Sequence, residues 1–263
     1  MAASNDENVT NGSTKSKIRI LLINPNATPS MTANCIRMVE STLPPDVSIT
    51  PFTAPHPAPT AIEGQVDNIL SAAACFRALV PLQQAENYDA FLVACYSDHA
   101  LIKMLREEFE APCIGIMEAS LLYARTLGAR VGIVATSQRS ALTQPASAQG
   151  YGVTLAGSRA CDLGVLELET LPREKVLQRM KDTALALVEQ DGADVLTLGC
   201  AGMTDMKAAV EEAVGGLGVR VVDGVVAGVQ HLVGVVRMGG RTAKRGVWRS
   251  AGEGREKRGQ GYV

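Results

Sequence analysis

Two cysteines occupy equivalent places in a repeated pattern. Asp89–Asp98 reads DAFLVACYSD and Asp194–Asp205 reads DVLTLGCAGMTD. In each, an Asp is followed by five mostly apolar residues and then a Cys, at Cys95 and at Cys200. The interval between these cysteines recurs between Glu118 and Asp223, each of which closes another hydrophobic segment. Each thiol ends an apolar strand and enters a turn that leads to a helix. There, successive backbone N–H groups and a helix N-terminus favour an anionic sulfur, so a thiolate is expected within reach of neutral pH. Two such thiols facing one cleft make a two-base pair, able to take a proton from one face of a carbon and return it to the other.

The neighbours fit that use. Gly199 and Gly202 flank Cys200 and Ala201 and allow close approach of backbone to a ligand. The first half has Ala94 and Ser97 at the matching places, and Ser97 can donate to a ligand carbonyl. Asp98 and Asp205 are expected to hold their loops by accepting backbone N–H groups, ahead of any acid–base role. His99 follows Asp98, but the second half has no equivalent, so a Cys–His dyad is disfavoured. The remaining cysteines, Cys35, Cys75, Cys113 and Cys161, read as small buried hydrophobes. The chain has no CxxC or Cys/His ligand spacing, which argues against a metal. It also lacks a dinucleotide fingerprint, a P-loop and a GxSxG elbow.

The elements that must position these residues alternate between strand and helix. Strands are expected at Ile18–Ile23, Val47–Thr50, Ala90–Ala94, Cys113–Met117, Val131–Ala135, within Gly152–Ser158, and at Val195–Leu198 and Val219–Val222, with helices between them. Ala61–Leu82 is expected to be helical to just past Pro81. This alternation predicts an α/β fold: two pseudo-symmetric, Rossmann-like lobes with parallel sheets and an active-site cleft between them. In such sheets ligands bind at the C-terminal strand ends, where Asn24, Cys95, Thr136 and Cys200 all fall. The expected division is a leader at 1–17, a first lobe at 18–112, a second at 113–216, a segment at 217–240 returning to the first lobe, and a basic tail at 241–263. Phe52–Pro59 and Tyr96 are candidate lids, and His56 could meet a polar arm of a ligand.

Composition excludes several classes. A formal net charge of -2 gives no reason to expect nucleic acid or an anionic membrane as partner. The basic stretch Arg241–Arg258, with seven Lys/Arg against two acids, reads as a solvated tail. Met1–Lys17 is polar and lacks a secretory core, and six sparse cysteines suggest reduced thiols, so a cytoplasmic location is expected.

Asn24-Pro25-Asn26-Ala27-Thr28, Ala61-Ile62-Glu63-Gly64, Ala94-Cys95-Tyr96-Ser97-Asp98, Gly115-Ile116-Met117-Glu118-Ala119 and Leu198-Gly199-Cys200-Ala201-Gly202-Met203 occur in that order. Together they resemble the hydantoin racemase family of the aspartate/glutamate racemase superfamily, in particular its fungal, allantoin-linked branch. The resemblance spans about Ile18 to Arg245. It implies cofactor-independent racemisation of 5-monosubstituted hydantoins or allantoin, with Cys95 and Cys200 catalytic. It implies substrate contacts from Asn24, Ser97, Asp98, Thr136 and the backbone of Gly199, Ala201 and Gly202, and a homo-oligomeric state, for which Val214–Val236 offers a smooth apolar surface. His99-Ala100 and Ala135 depart from the family pattern and bear on the substrate. The alternatives are an amino-acid racemase, a maleate isomerase or a non-catalytic binder of a small metabolite.

Overall fold

A computed structural model describes residues 17–261. The expected leader therefore lies, Lys17 apart, outside the described residues. Eight strands form two four-stranded sheets, each wholly parallel. The first sheet contains β1 (Ile18–Asn24), β2 (Val47–Thr53), β3 (Ala90–Val93) and β4 (Cys113–Gly115) in the order β2-β1-β3-β4. The second contains β5 (Val131–Ala135), β6 (Leu155–Ala160), β7 (Val195–Leu198) and β8 (Arg220–Val222) in the order β6-β5-β7-β8. The same topology thus appears twice.

Helices cover the sheets. α1 (Pro29–Glu40), α2 (Gln65–Glu86), α3 (Ala100–Glu108) and α4 (Ile116–Ala124) follow β1 to β4 in turn. In the second half come α5 (Gln138–Ala148), α6 (Glu167–Thr170), α7 (Arg173–Glu189), α8 (Lys207–Val214), α9 (Gly224–Arg237) and, in the tail, α10 (Gly252–Lys257). The central strands are near-continuous runs of buried aliphatic residues, as both faces of a covered parallel sheet require.

The sequence division at residue 113 needs correction. β4 pairs with β3, Phe91 opposite Cys113, so Cys113–Gly115 belongs to the first sheet. β8 pairs with β7 in the second sheet, and only the following α9 packs on α1, β1, β3 and α4 of the first lobe. The apolar face of α9 expected for subunit packing is therefore buried internally, through Val225, Val229, Leu232 and Val233. A single apolar cluster runs from Ile20, Leu22 and Leu92 through Ile116 and Met117 to Val131, Ile133 and Val195, which joins the lobes through a shared core.

Local chemistry explains the smaller differences. α2 continues past Pro81 to Glu86, because an internal proline costs one ladder bond and need not end a well-packed helix. It stops at Asn87, in the left-handed region at φ 50°. Asp89 and Asp194, the acids that open the repeated pattern, have a structural role. Asp89 accepts the Arg19 N–H at 2.7 Å, and Asp194 accepts those of Ala129 and Arg130 at 2.9 Å. The expected solvated tail is instead docked on the acidic end of α3. Arg255 pairs with Glu108, Ser250 donates to Glu108 at 2.9 Å, Lys244 donates to the carbonyls of Arg106 and Glu107, and Arg241 pairs with Glu110 at 3.0 Å. Among the described residues no helix is long and apolar enough to cross a membrane.

Candidate active site

The order β2-β1-β3-β4 makes the connections leave β1 and β3 toward opposite edges, which opens a crevice at their C-terminal ends. Cys95 lies just beyond β3, and Cys200 holds the matching place just beyond β7. Both line one cavity of about 470 Å³ between the lobes.

Among the described residues each sulfur has one polar partner. Cys95 Sγ lies 3.2 Å from Ser97 Oγ. Cys200 Sγ accepts the Gly202 N–H at 3.4 Å, capping the 3₁₀ turn Ala201–Met206. Gly199 has to be glycine, since a Cβ there would lie 2.7 Å from the Val134 carbonyl oxygen.

The thiols are less acidic than the sequence reading expected. Both cysteines are only partly covered as residues, since they face the cavity. Protein nonetheless packs closely around the sulfurs, and that desolvation dominates. Burial pushes Cys95 up to about 12, with the Ser97 hydrogen bond opposing, and a charge on Cys200 pushes it further. Burial pushes Cys200 up to about 11, with the Gly202 N–H opposing. One N–H dipole does not repay the loss of water around a thiolate. Because charge on Cys200 disfavours charge on Cys95, the two are not ionised together.

The other expected residues divide. Ser97, Asp98, Thr136, Gly199 and Ala201 line the cavity. Asp98 stands at its edge, paired with Lys103 at 2.5 Å in place of the backbone partners expected. Asp205 likewise pairs with Arg173, at 2.9 Å. Gly202 reaches the site through its bond to Cys200. Asn24 does not line the cavity. Its amide is used up in the turn, donating toward Asn26 Oδ1, the Thr28 carbonyl and Thr32 Oγ1 and accepting from Asn26 N. Asn26 stands at the cavity instead. Sheet register makes Ala135 the counterpart of Asn24, because Ile20 opposite Ala90 corresponds to Val131 opposite Val195.

His99 is fully buried and neutral. Its Nδ1 accepts the Leu101 N–H at 3.2 Å, capping α3, and Nε2 meets Ser71 Oγ at 3.0 Å. Burial lowers its pKa to about 4. Of the two expected lids, Phe52–Pro59 does not line the cavity. Tyr96 does line it, but its hydroxyl turns inward to Thr197 Oγ1 at 2.6 Å, a bond between the lobes. The wall is formed instead by Ile62–Gln65 and by one face of α5.

Sequence reading missed Asn68, Arg139 and Gln144, all of which line the cavity. The Arg139 side chain lies against Gly64, where a Cβ would be 3.3 Å from the guanidinium carbon. Periodicity around Gln138–Gln149 marks a helix but not which of its faces closes a cleft made by distant strands.

Residues 20–232 match the description Asp/Glu/Hydantoin racemase. The chain belongs to this family. A hydantoin racemase of Rhizobium meliloti is 34% identical over 231 residues, covering 86% of this chain and 92% of that protein. An uncharacterized protein of Schizosaccharomyces pombe is 42% identical over 238 residues, covering 89% and 99%. The crystal structure of an allantoin racemase from Pseudomonas fluorescens superposes with a TM-score of 0.82 at 27% identity, over 88% of this chain and 96% of that one. This family member is a racemase-type isomerase with two parallel α/β lobes.

Proposed function

We propose that the protein racemises 5-monosubstituted hydantoins, allantoin among them, by proton transfer between Cys95 and Cys200. The observation that carries this reading is that two thiols, delivered by equivalent strands of repeated lobes, line one cavity. The C5–H of a hydantoin is acidic because it adjoins a carbonyl and a ring nitrogen. One thiolate takes that proton, and the C–H electron pair moves into the carbonyl to give an enolate. Ser97 and nearby backbone N–H groups are the donors at hand for that oxygen. The other thiol then protonates the opposite face, and the first sulfur leaves the cycle protonated. Turnover of the mirror substrate swaps the roles. Thr136 and the backbone of Gly199 and Ala201 are the proposed ring contacts.

Cys95→Ser and Cys200→Ser should each abolish racemisation, while a single variant keeps α-hydrogen exchange of one enantiomer in heavy water. Full racemisation by either variant sinks the mechanism. The second reading is a carboxylate substrate, and the feature favouring it is Arg139 at the cavity. A single cation there would meet one carboxylate, and Glu63 on the same wall opposes a dianion. Chiral separation of products from hydantoins, allantoin, aspartate, glutamate and maleate decides between the readings. The same proposal includes a cytoplasmic homo-oligomer. Exposed Val66, Ile69 and Leu70 on one face of α2 support self-association, and sedimentation at 27.7 kDa would count against it.

A further inference from the structure

Asn68 lies on the first turn of α2, is 6% exposed, and lines the cavity that holds both thiols. Its Oδ1 accepts the Ala100 N–H, the first of α3, at 3.1 Å. That bond fixes the orientation of the amide, since a flipped side chain would set N–H against N–H. The Nδ2 group is then a donor for which no protein acceptor is found among the described residues. The turn that carries Asn68 is tied to α3 as well. Ser71, one turn along α2, bonds the Asn68 main-chain carbonyl at 3.3 Å and His99 Nε2 at 3.0 Å, and His99 in turn caps α3. Asn68 is a cavity-lining residue, so this free donor is open to the cavity, where a group that enters can accept from it.

We propose that Asn68 is a substrate-positioning residue that donates from Nδ2 to a ring carbonyl oxygen of the bound hydantoin. The proposal rests on the hydantoin reading above. It gives Asn68 two duties that one substitution separates. Asp keeps the oxygen that accepts from Ala100 N and is a good partner for the start of a helix. At neutral pH it has no N–H to donate.

The test is N68D beside wild type, with a 5-substituted hydantoin as probe. N68D should keep the wild-type melting temperature within a few degrees and lose at least tenfold in kcat/KM at pH 8, mostly as a raised KM. The ratio of N68D to wild-type activity should then rise as pH falls toward the carboxyl range, because a protonated Asp regains a donor. A purely structural Asn68 predicts no rise in KM, since the new carboxylate beside the thiols would then act on kcat alone. A second measurement does not depend on the variant folding. In wild-type protein with labelled Asn side-chain nitrogen, the Asn68 amide protons should shift downfield when the hydantoin is added. If wild type turns over the hydantoin while N68D matches it in KM and kcat, or the Asn68 resonance stays unmoved, this inference alone falls. If wild type neither binds nor racemises any hydantoin, the functional reading falls and takes this inference with it.

Discussion

Raising the pH should make this enzyme faster, and the structure says by how much. Burial holds Cys200 at about 11 and Cys95 at about 12, against 9.0 for a free thiol. Loss of water around the sulfur is what disfavours the thiolate. At pH 8 only a small minority of molecules then has Cys200 ionised, and each further pH unit multiplies that population about tenfold. Since kcat/KM reports the ionisation of free enzyme, it should climb about tenfold per unit from pH 7 to 9 and not level off there. Stability runs the other way. A thiol whose folded pKa lies above its unfolded value stabilises the fold below the free-thiol value of 9.0. That contribution is lost as pH rises toward the folded pKa, so alkaline unfolding should end the climb.

Alkylation separates the two thiols. Cys200, raised less than Cys95, offers the larger thiolate population, an advantage only partly offset by the weaker nucleophilicity of a less basic thiolate. Iodoacetamide labelling with peptide mapping between pH 7 and 9 should therefore mark Cys200 first and Cys95 next. The fully buried Cys35, Cys75, Cys113 and Cys161 should stay unlabelled. A kcat/KM plateau below pH 8, or Cys95 labelled first, would refute the burial argument.

Gly199→Ala places a methyl 2.7 Å from the Val134 carbonyl oxygen, itself bonded to Gly199 N. Overpacking of about 1–3 kcal/mol should lower the melting temperature by about 2–10 °C, and calorimetry showing no change would dispose of that contact. Arg139→Ala should cost kcat/KM for allantoin about 10- to 100-fold, the worth of about 1.5–3 kcal/mol for a charge-assisted hydrogen bond to the ureido oxygen, and cost a benzyl-substituted hydantoin less than about threefold. Equal losses on both substrates would remove Arg139 from arm recognition. Arg255→Ala breaks the largely buried pair with Glu108, and thermal melts should show a loss of about 2 kcal/mol. A melt identical to wild type would mean the docked tail contributes nothing to stability.

The strands, and the thiols that end two of them, were readable because buried parallel strands are written locally as aliphatic runs. The repeated Asp-to-Cys pattern was readable for a similar reason. Each Asp holds the N-terminal end of the neighbouring strand, at Arg19 in one half and at Arg130 in the other. What escaped depends on which distant surfaces meet. Asn24 and Asn26 belong to one turn, and only three-dimensional bonding decides that the first is spent on the turn and the second faces the cavity. Tyr96 looks like a lid in sequence, but its partner is Thr197 in the other lobe. The tail reads as solvated until the acidic end of α3 is placed under it. The thiol pKa was misjudged because a strand-end turn is visible in sequence, whereas the depth of protein around the sulfur is not.

The duplication bears on stereochemistry as well as on fold. Two sheets of equal order place their thiols at equivalent strand ends, so under the proposed mechanism each lobe serves one face of the reacting carbon. The halves are not identical at the sulfur, however. Cys95 has a hydroxyl partner in Ser97, and Cys200 has a backbone N–H from Gly202. Burial raises Cys95 further than Cys200, which makes Cys200 the easier thiolate, so the two enantiomers meet differently populated forms of the enzyme. Individual kcat and KM values are therefore free to differ between enantiomers, and the Ser97 side should set the slower ionisation. The ratio kcat/KM is not free. Enantiomers have equal free energy in an achiral solvent, so the equilibrium constant is one and kcat/KM must match in both directions. Replacing Ser97 by Ala should consequently shift kcat and KM unequally for the two enantiomers while leaving their kcat/KM values equal to each other. Matched progress curves from each pure enantiomer, followed by polarimetry, would expose any departure. A persistent inequality would mean that the observed turnover is not a simple racemisation between two thiols.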